Sequence, residues 1–342
     1  MRRWRVGGLR VALALGTAAL VAVPGQAEAQ VQAEAQAGHP ASAPVAAALA
    51  QIAGASNGTV GVAMQDLDGG EVISLHGAQS FPMASTFKIA LAATVLAKVD
   101  TGEWSLDRMI AVRPQDRVYS DGIFEFAPHD GVALSVHNLL ELMLTRSDNT
   151  ATDVLYREVG GSEAVMAWLG RHGIGDMRVD SDTRGLIFRA LKVPPGDGDF
   201  VKTVLATDPH VLERDLSRTP SPDFDADPRD QATPRAMLHL LKVLAGGTAL
   251  SPGSTGVLMT ILGRCLTGED RLKGLLPEGA PVAHKTGSLL GIANDVGYVT
   301  LPDGHRFAIV VFIKGDSRGA KAQDRVIAEI ARTAYDHYRL NR

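Results

Sequence analysis

The chain has 342 residues, 34 Lys+Arg against 38 Asp+Glu, and one Cys. That length suffices for one large domain or two sub-domains around a shared core, and one Cys excludes an internal disulfide framework. A net charge of −4, 5% aromatics and no basic run interleaved with aromatics argue against a nucleic-acid partner, and 45% apolar residues exclude disorder throughout.

Residues 1–29 read as a secretory signal peptide. Arg2, Arg3, Arg5 and Arg10 supply the positive end, residues 11–23 the apolar stretch, and Ala27-Glu28-Ala29 a small-x-small cleavage site. The apolar stretch falls short of the ~20 residues of a membrane span. The expectation is a cleaved, periplasmic or secreted chain with no stable membrane insertion. Loss of four Arg and one Glu takes the net charge from −4 to −7. Residues 30–44, rich in Ala, Gln and Pro, read as a flexible leader.

The elements follow in order. Residues 45–53 read as a short helix. Runs 60–66 and 71–76 flank Asp68-Gly69-Gly70 and predict a hairpin. Helical periodicity marks 85–99, 136–144, 149–159, 162–169 and 234–245. Residues 194–230, rich in Pro and Asp with weak periodicity, read as a long loop or insertion. A second hairpin is expected from 295–301 and 306–313 around Pro302-Asp303-Gly304. Residues 323–338 carry Val326, Ile327, Ile330, Ala331, Ala334 and Tyr335 on one helical face. Strands at both chain ends around a helical middle (roughly 85–250) predict an α+β fold. One antiparallel sheet is flanked by helices, with an all-helical sub-domain and the default site in the groove between them.

Three motifs can carry chemistry. Ser85-x-x-Lys88 opens an apolar helix, which puts hydroxyl and amine one turn apart on one face. Burial of the Lys lowers its pKa and suits it to act as a base toward a Ser nucleophile. Ser147-Asp148-Asn149 follows a helix, and Lys285-Thr286-Gly287 with Ser288 precedes a strand, where a Gly permits close backbone approach. Each alone has a plain structural explanation: an N-cap Ser with a snorkelling Lys, a helix cap, a strand end.

Together and in this order, the chain resembles the serine β-lactamase and penicillin-binding protein superfamily, closest to class A β-lactamases. Asp227-Pro228-Arg229-Asp230 through Pro234 looks like the end of the class A omega loop. Thr267-Gly268, Arg271 and Ala293-Asn294-Asp295 look like the segments around the Lys-Thr-Gly strand, so the resemblance spans 45–342 apart from an insertion at roughly 184–226. It implies a three-layer fold, Ser85 as nucleophile, Lys88 as its base and Ser147 as proton relay to the leaving nitrogen. Asn149 would bind the acyl side chain and Lys88. Lys285, Thr286 and Ser288 would bind the substrate carboxylate beside Gly287, and the amides of Ser85 and Ser288 would form the oxyanion hole. Asp148 is expected to be a structural cap. The implied protein is an exported monomeric hydrolase with no metal or cofactor, acting on a β-lactam or peptidoglycan-like small molecule.

One departure matters. The family's omega-loop Glu-x-x-Leu-Asn motif, whose Glu activates the deacylating water, is absent. Counting forward from Ser147 reaches Thr183, and counting back from Asp230 reaches Ser217. Asp182, Glu213 and Asp215 lie nearby and read as surface charges. The absence keeps open a D-alanyl-D-alanine carboxypeptidase, an esterase, or a penicillin-binding protein that acylates and stops. Gly54-x-Ser56-x-Gly58 lacks the elbow context of a nucleophile, and the scattered His lack metal-ligand spacing. Cys265 reads as a small core residue and His284 as a strand residue.

Overall fold

A computed structural model describes residues 42–341, so the segment read as a signal peptide lies outside the described residues. Pro44 stands in the first turn of α1 (Ala43–Ala53), where its missing N–H costs nothing. Next come β1 (Thr59–Asp66) and β2 (Ile73–Leu75), paired antiparallel as the expected hairpin with Val62 opposite Leu75. Short β3 (Phe81–Pro82) precedes a 3-10 turn at Ala84–Phe87 that runs straight into α2 (Lys88–Asp100). The helical middle continues with β4 (Met109–Ala111), α3 (Ile123–Phe126), β5 (Ala133–Ser135), α4 (Val136–Thr145), α5 (Asn149–Val159) and α6 (Gly161–Arg171). Then follow α7 (Thr183–Ala190), α8 (Phe200–Thr207), α9 (Pro222–Ala226), β6 (Gln231–Ala232), α10 (Pro234–Ala245) and α11 (Pro252–Gly263). The chain closes with β7 (Val282–Leu289), β8 (Ile292–Thr300), β9 (Arg306–Lys314) and α12 (Ala320–Leu340).

Strands from both chain ends make one antiparallel five-stranded sheet in the order β2-β1-β9-β8-β7, with Val62 opposite Val311 at the junction of the two ends. The apolar run of β9 explains its central place. Phe307, Ile309, Val311 and Ile313 pack with α1 and α12, while Ala308, Val310 and Phe312 pack toward the helical sub-domain. A strand covered on both faces needs no polar alternation. The result is three layers: α1 and α12, the sheet, and the helical region. α2 is buried over its first nine residues, as the central element of that region must be. β7 is the sheet edge that faces the helices at the Ala84–Phe87 turn.

The segment expected to be irregular is instead folded. The chain leaves at Arg178, whose amide donates to the Gln231 carbonyl (2.8 Å), and returns at Thr233, whose amide donates to the Asp176 carbonyl (3.0 Å). Inside this closed loop lie α7, α8, α9 and 3-10 turns at Val211–Glu213 and Leu216–Arg218. Caps start them: Asp199 accepts from the Lys202 amide and Ser221 from the Phe224 amide. Val118, Phe188, Val193, Phe200, Val204 and Val211 form a separate small core, with the Phe188 and Phe200 rings stacked at 5.3 Å. The Pro-rich composition hid helices of eight residues or fewer, whose periodicity is too short to register.

Candidate active site

Ser85 lies in the 3-10 turn, partly exposed, directly before α2. Its neighbour Ala84 has φ 45°, a left-handed conformation that costs a residue with a Cβ and recurs at functional sites. Lys88 is the first residue of α2 and is fully buried. Its Nζ donates to the Ser147 carbonyl (2.7 Å), to Ser147 Oγ (3.2 Å) and to Asn149 Oδ1 (2.9 Å). Burial, and then the nearby charge of Lys285, hold the Lys88 amine well below its ordinary pKa, against the opposite pull of Asp153 and Asp148.

The Ser147-Asp148-Asn149 segment links α4 to α5. Ser147 has φ 58°. Asp148 is the N-cap of α5, accepting from the Ala151 amide, and its other oxygen accepts from the Ile123 amide, both at 2.7 Å. Asp148 is thereby a structural residue. Asn149 Nδ2 donates to the Tyr119 carbonyl (2.9 Å), which fixes the amide so that Oδ1 faces Lys88.

The third motif approaches from the sheet edge. Lys285 is fully buried, and its Nζ donates to Ser147 Oγ (2.9 Å) and to the Thr286 carbonyl (2.8 Å). Ser147 Oγ thus meets two lysine amines, those of Lys88 and Lys285. Burial brings Lys285 down to about 8. A Cβ on Gly287 would stand 2.7 Å from the Met83 carbonyl oxygen and 3.0 Å from the Ser85 amide nitrogen. The glycine therefore serves strand-to-turn contact within the protein, bringing β7 against the turn that carries Ser85. β7 is the edge strand of the sheet and pairs only with β8. Ser288 is exposed.

Several supporting residues carry no motif of their own. Arg271 donates to Ser288 Oγ (2.7 Å) and to the carbonyls of Gly287 (3.2 Å) and Asn294 (2.9 Å), and pairs with Asp324 (2.7 Å). It braces the strand and orients the Ser288 hydroxyl. Asn294 Nδ2 ties the carbonyls of Pro82 (2.9 Å) and Met83 (3.0 Å) to β8. Thr267 Oγ1 lies 2.6 Å from Thr286 Oγ1. In sequence Arg271, Asn294 and Thr267 were visible only as part of the resemblance.

The two spacing counts for the missing Glu part company here. Ser217 lies at the start of α12, its Oγ accepting from the Ala320 amide (3.0 Å). Thr183 opens α7, and its amide donates to Asp153 Oδ1 (2.7 Å); the Arg184 amide donates to Asp153 Oδ2 (3.0 Å). Asp153, on the turn of α5 after Asn149, is a carboxylate that the motifs did not mark. Burial, reinforced by Asp182, raises it to about 8, and its charge bears on Lys88. Asp182, expected as a surface charge, is partly buried and caps α7 through the Gly185 amide (2.7 Å); burial raises its pKa too. Glu213 and Asp215 are exposed. Asp230, at φ 55°, closes the loop neck by accepting from the Asp180 (2.7 Å) and Ser181 (3.0 Å) amides and pairing with Arg189.

The arrangement joins a partly exposed hydroxyl, a buried amine, a bridging hydroxyl between two amines, and a glycine-permitted edge strand. It suits acyl transfer to Ser85. Among the described residues no group of three or more His, Cys, Asp or Glu could hold a metal ion.

A model of the β-lactamase enzyme family matches residues 44–338. Among curated proteins, β-lactamase VEB-1 of Pseudomonas aeruginosa is 26% identical over 295 residues, covering 83% of this chain and 87% of that protein. The extended-spectrum β-lactamase PER-1 of the same organism is 28% identical over 285 residues, covering 81% and 82%. Among solved structures, a β-lactamase from Chitinophaga pinensis superposes with TM-score 0.72 at 32% identity, covering 86% of this chain and 99% of that one. An ancestral class A β-lactamase superposes with TM-score 0.69 at 34% identity, covering 84% and 97%.

Proposed function

From the premise that this chain belongs to the β-lactamase enzyme family, as a class A-like hydrolase, we propose that it opens β-lactam rings through a Ser85 acyl-enzyme whose hydrolysis is the slow step. The observation that carries the acylation half is the pair of lysine amine contacts on Ser147 Oγ, from Lys88 at 3.2 Å and Lys285 at 2.9 Å.

In this reading neutral Lys88 takes the Ser85 proton as Oγ attacks the lactam carbonyl. Ser147 passes a proton to the departing nitrogen and is resupplied from the lysines. The Ser85 and Ser288 amides stabilise the oxyanion, each such donor being worth ~3–4 kcal/mol in the transition state. Lys285, Thr286 and Ser288 take the substrate carboxylate, with Arg271 orienting the Ser288 hydroxyl. Asn149 holds Lys88 and meets the acyl side chain. Thr183 stands where the family spacing puts a carboxylate, and loss of a general base commonly costs 10²–10⁴-fold, so water attacks the ester slowly. The basic start and Ala27-Glu28-Ala29 support export to the periplasm or medium.

Intact-protein mass after mixing with benzylpenicillin tests this. The reading expects a one-equivalent adduct mapped to Ser85, absent in Ser85→Ala. Absence of both adduct and penicillin loss would overturn it, and hydrolysis of a D-alanyl-D-alanine peptide in its place would establish the carboxypeptidase alternative.

A further inference from the structure

A cavity lies where the folded insertion meets the end of β9. Its volume of about 620 Å³ is within the range of small-molecule sites. Its walls include Ser80 before β3, Met177 and Arg178 at the loop neck, Asp225 on α9 and Lys314 at the end of β9. None of its lining residues belongs to the acyl-transfer machinery around Ser85. Asp225 and Lys314 put opposite charges on the wall of this cavity, and among the described residues no ion pair joins them. The Asp225 side chain is half-buried, and its Oδ1 is buried with no hydrogen-bond partner among the described residues. Its Oδ2 lies beside the corner that follows Lys314, where a Cβ on Gly315 would stand 3.6 Å from it. Lys314 is half-buried, 5.0 Å from the centroid of the Phe81 ring, and its Nζ donates to the Ser80 carbonyl (2.7 Å). An ammonium has three N–H donors, so the Ser80 bond does not exhaust it. A carboxylate oxygen taken from water and given no donor is costly, and it marks a group whose partner is still to come. The other charged residues on the wall are differently placed: Arg178 is paired with Asp180 (2.5 Å), and Asp176 is exposed.

We propose that this cavity binds a small zwitterion, an amino acid or short peptide, with its ammonium on Asp225 and its carboxylate on Lys314. The ligand supplies the N–H donors that the Asp225 carboxylate lacks, and it accepts from the Lys314 N–H groups that Ser80 leaves over. A simple amine meets only the first need and a simple carboxylate only the second, so recognition requires both charges on one molecule. Asp225 belongs to the insertion and Lys314 to the sheet, so a bound zwitterion ties the two together.

The electrostatics agree with the geometry. Burial lifts the Asp225 carboxyl to about 6 against the opposite pull of Lys314. Burial lowers the Lys314 amine against the opposite pull of Asp225. Both groups are thus charged at neutral pH with less solvation than they would have in water, and an opposite charge on a ligand stabilises each.

The test reads binding rather than turnover, so it is independent of the chemistry at Ser85. Saturation-transfer NMR is run on the folded chain with glycine, glycylglycine and triglycine, which step the distance between ammonium and carboxylate. At least one of the three is expected to bind at millimolar concentration. The same compound with its amine acetylated, or with its carboxylate amidated, should bind at least tenfold more weakly. Asp225→Asn and Lys314→Met should each weaken the unblocked compound by tenfold or more, with circular dichroism confirming that the variants are folded. No binding by any of the three, equal binding of the blocked forms, or binding that survives both substitutions would overturn the proposal. The blocked forms decide it on the unaltered chain even if a variant fails to fold.

Discussion

Asp153 Oδ1 accepts the Thr183 amide at 2.7 Å. This one contact places the start of α7 beside α5, a turn beyond the Asn149 that binds Lys88. Threonine thus stands at the loop position docked on α5, and the deficit proposed for this enzyme lies in one side chain of a loop whose neck is intact.

Thr183→Glu is accordingly expected to speed release of the penicilloyl adduct by about tenfold or more while leaving the acylation rate unchanged. Adduct lifetime by intact mass measures the first and stopped-flow acylation the second. An unchanged lifetime would show that Thr183 does not occupy the water-activating position.

In the proposed mechanism the two buried lysines set opposite limbs of the pH profile. Acylation needs Lys88 neutral, so kcat/KM falls as acid protonates it, and the pKa lowered by burial places that limb well below that of an ordinary lysine. Carboxylate binding needs Lys285 charged, and its value of about 8 means that binding weakens as pH rises through 8. Lys285→Arg keeps the charge at high pH and should move the alkaline limb up by more than one unit, chiefly through KM. A pH series with benzylpenicillin checks this, and an unmoved limb would contradict it.

Gly287→Ala tests the close approach of β7 to the Ser85 turn. Its Cβ would sit 2.7 Å from the Met83 oxygen and 3.0 Å from the Ser85 nitrogen, both backbone atoms that cannot swing aside. The expected cost is about 1–3 kcal/mol in unfolding free energy, as for other overpacked sites. Acylation should slow on the order of a hundredfold as the Ser85 amide shifts. Denaturant unfolding together with stopped-flow separates the two.

Much of this was legible in the residues. The Asp68-Gly69-Gly70 and Pro302-Asp303-Gly304 turns announce hairpins, and the joining of β1 to β9 follows from apolar runs at both chain ends. Ser85, Lys88, Ser147 and Lys285 stand out in sequence only when their three motifs are taken together and in order. Residues that act through others did not. Arg271 is one of many arginines until its fork is seen on Ser288 and Gly287. Asp153 looks like any helix carboxylate until α7 docks on it. The folded insertion escaped because its helices are short and rest on a core of their own.

The central claim is that Ser85 acylates readily and hydrolyses slowly. The direct measurement is a stopped-flow trace of β-lactam ring opening at enzyme concentrations comparable to the substrate. The expected trace is a burst of one equivalent per Ser85 followed by a slower steady phase, with the adduct present throughout. Steady turnover of many equivalents with neither burst nor adduct would contradict it, since acylation would then be limiting and a deacylating base would have to be in place.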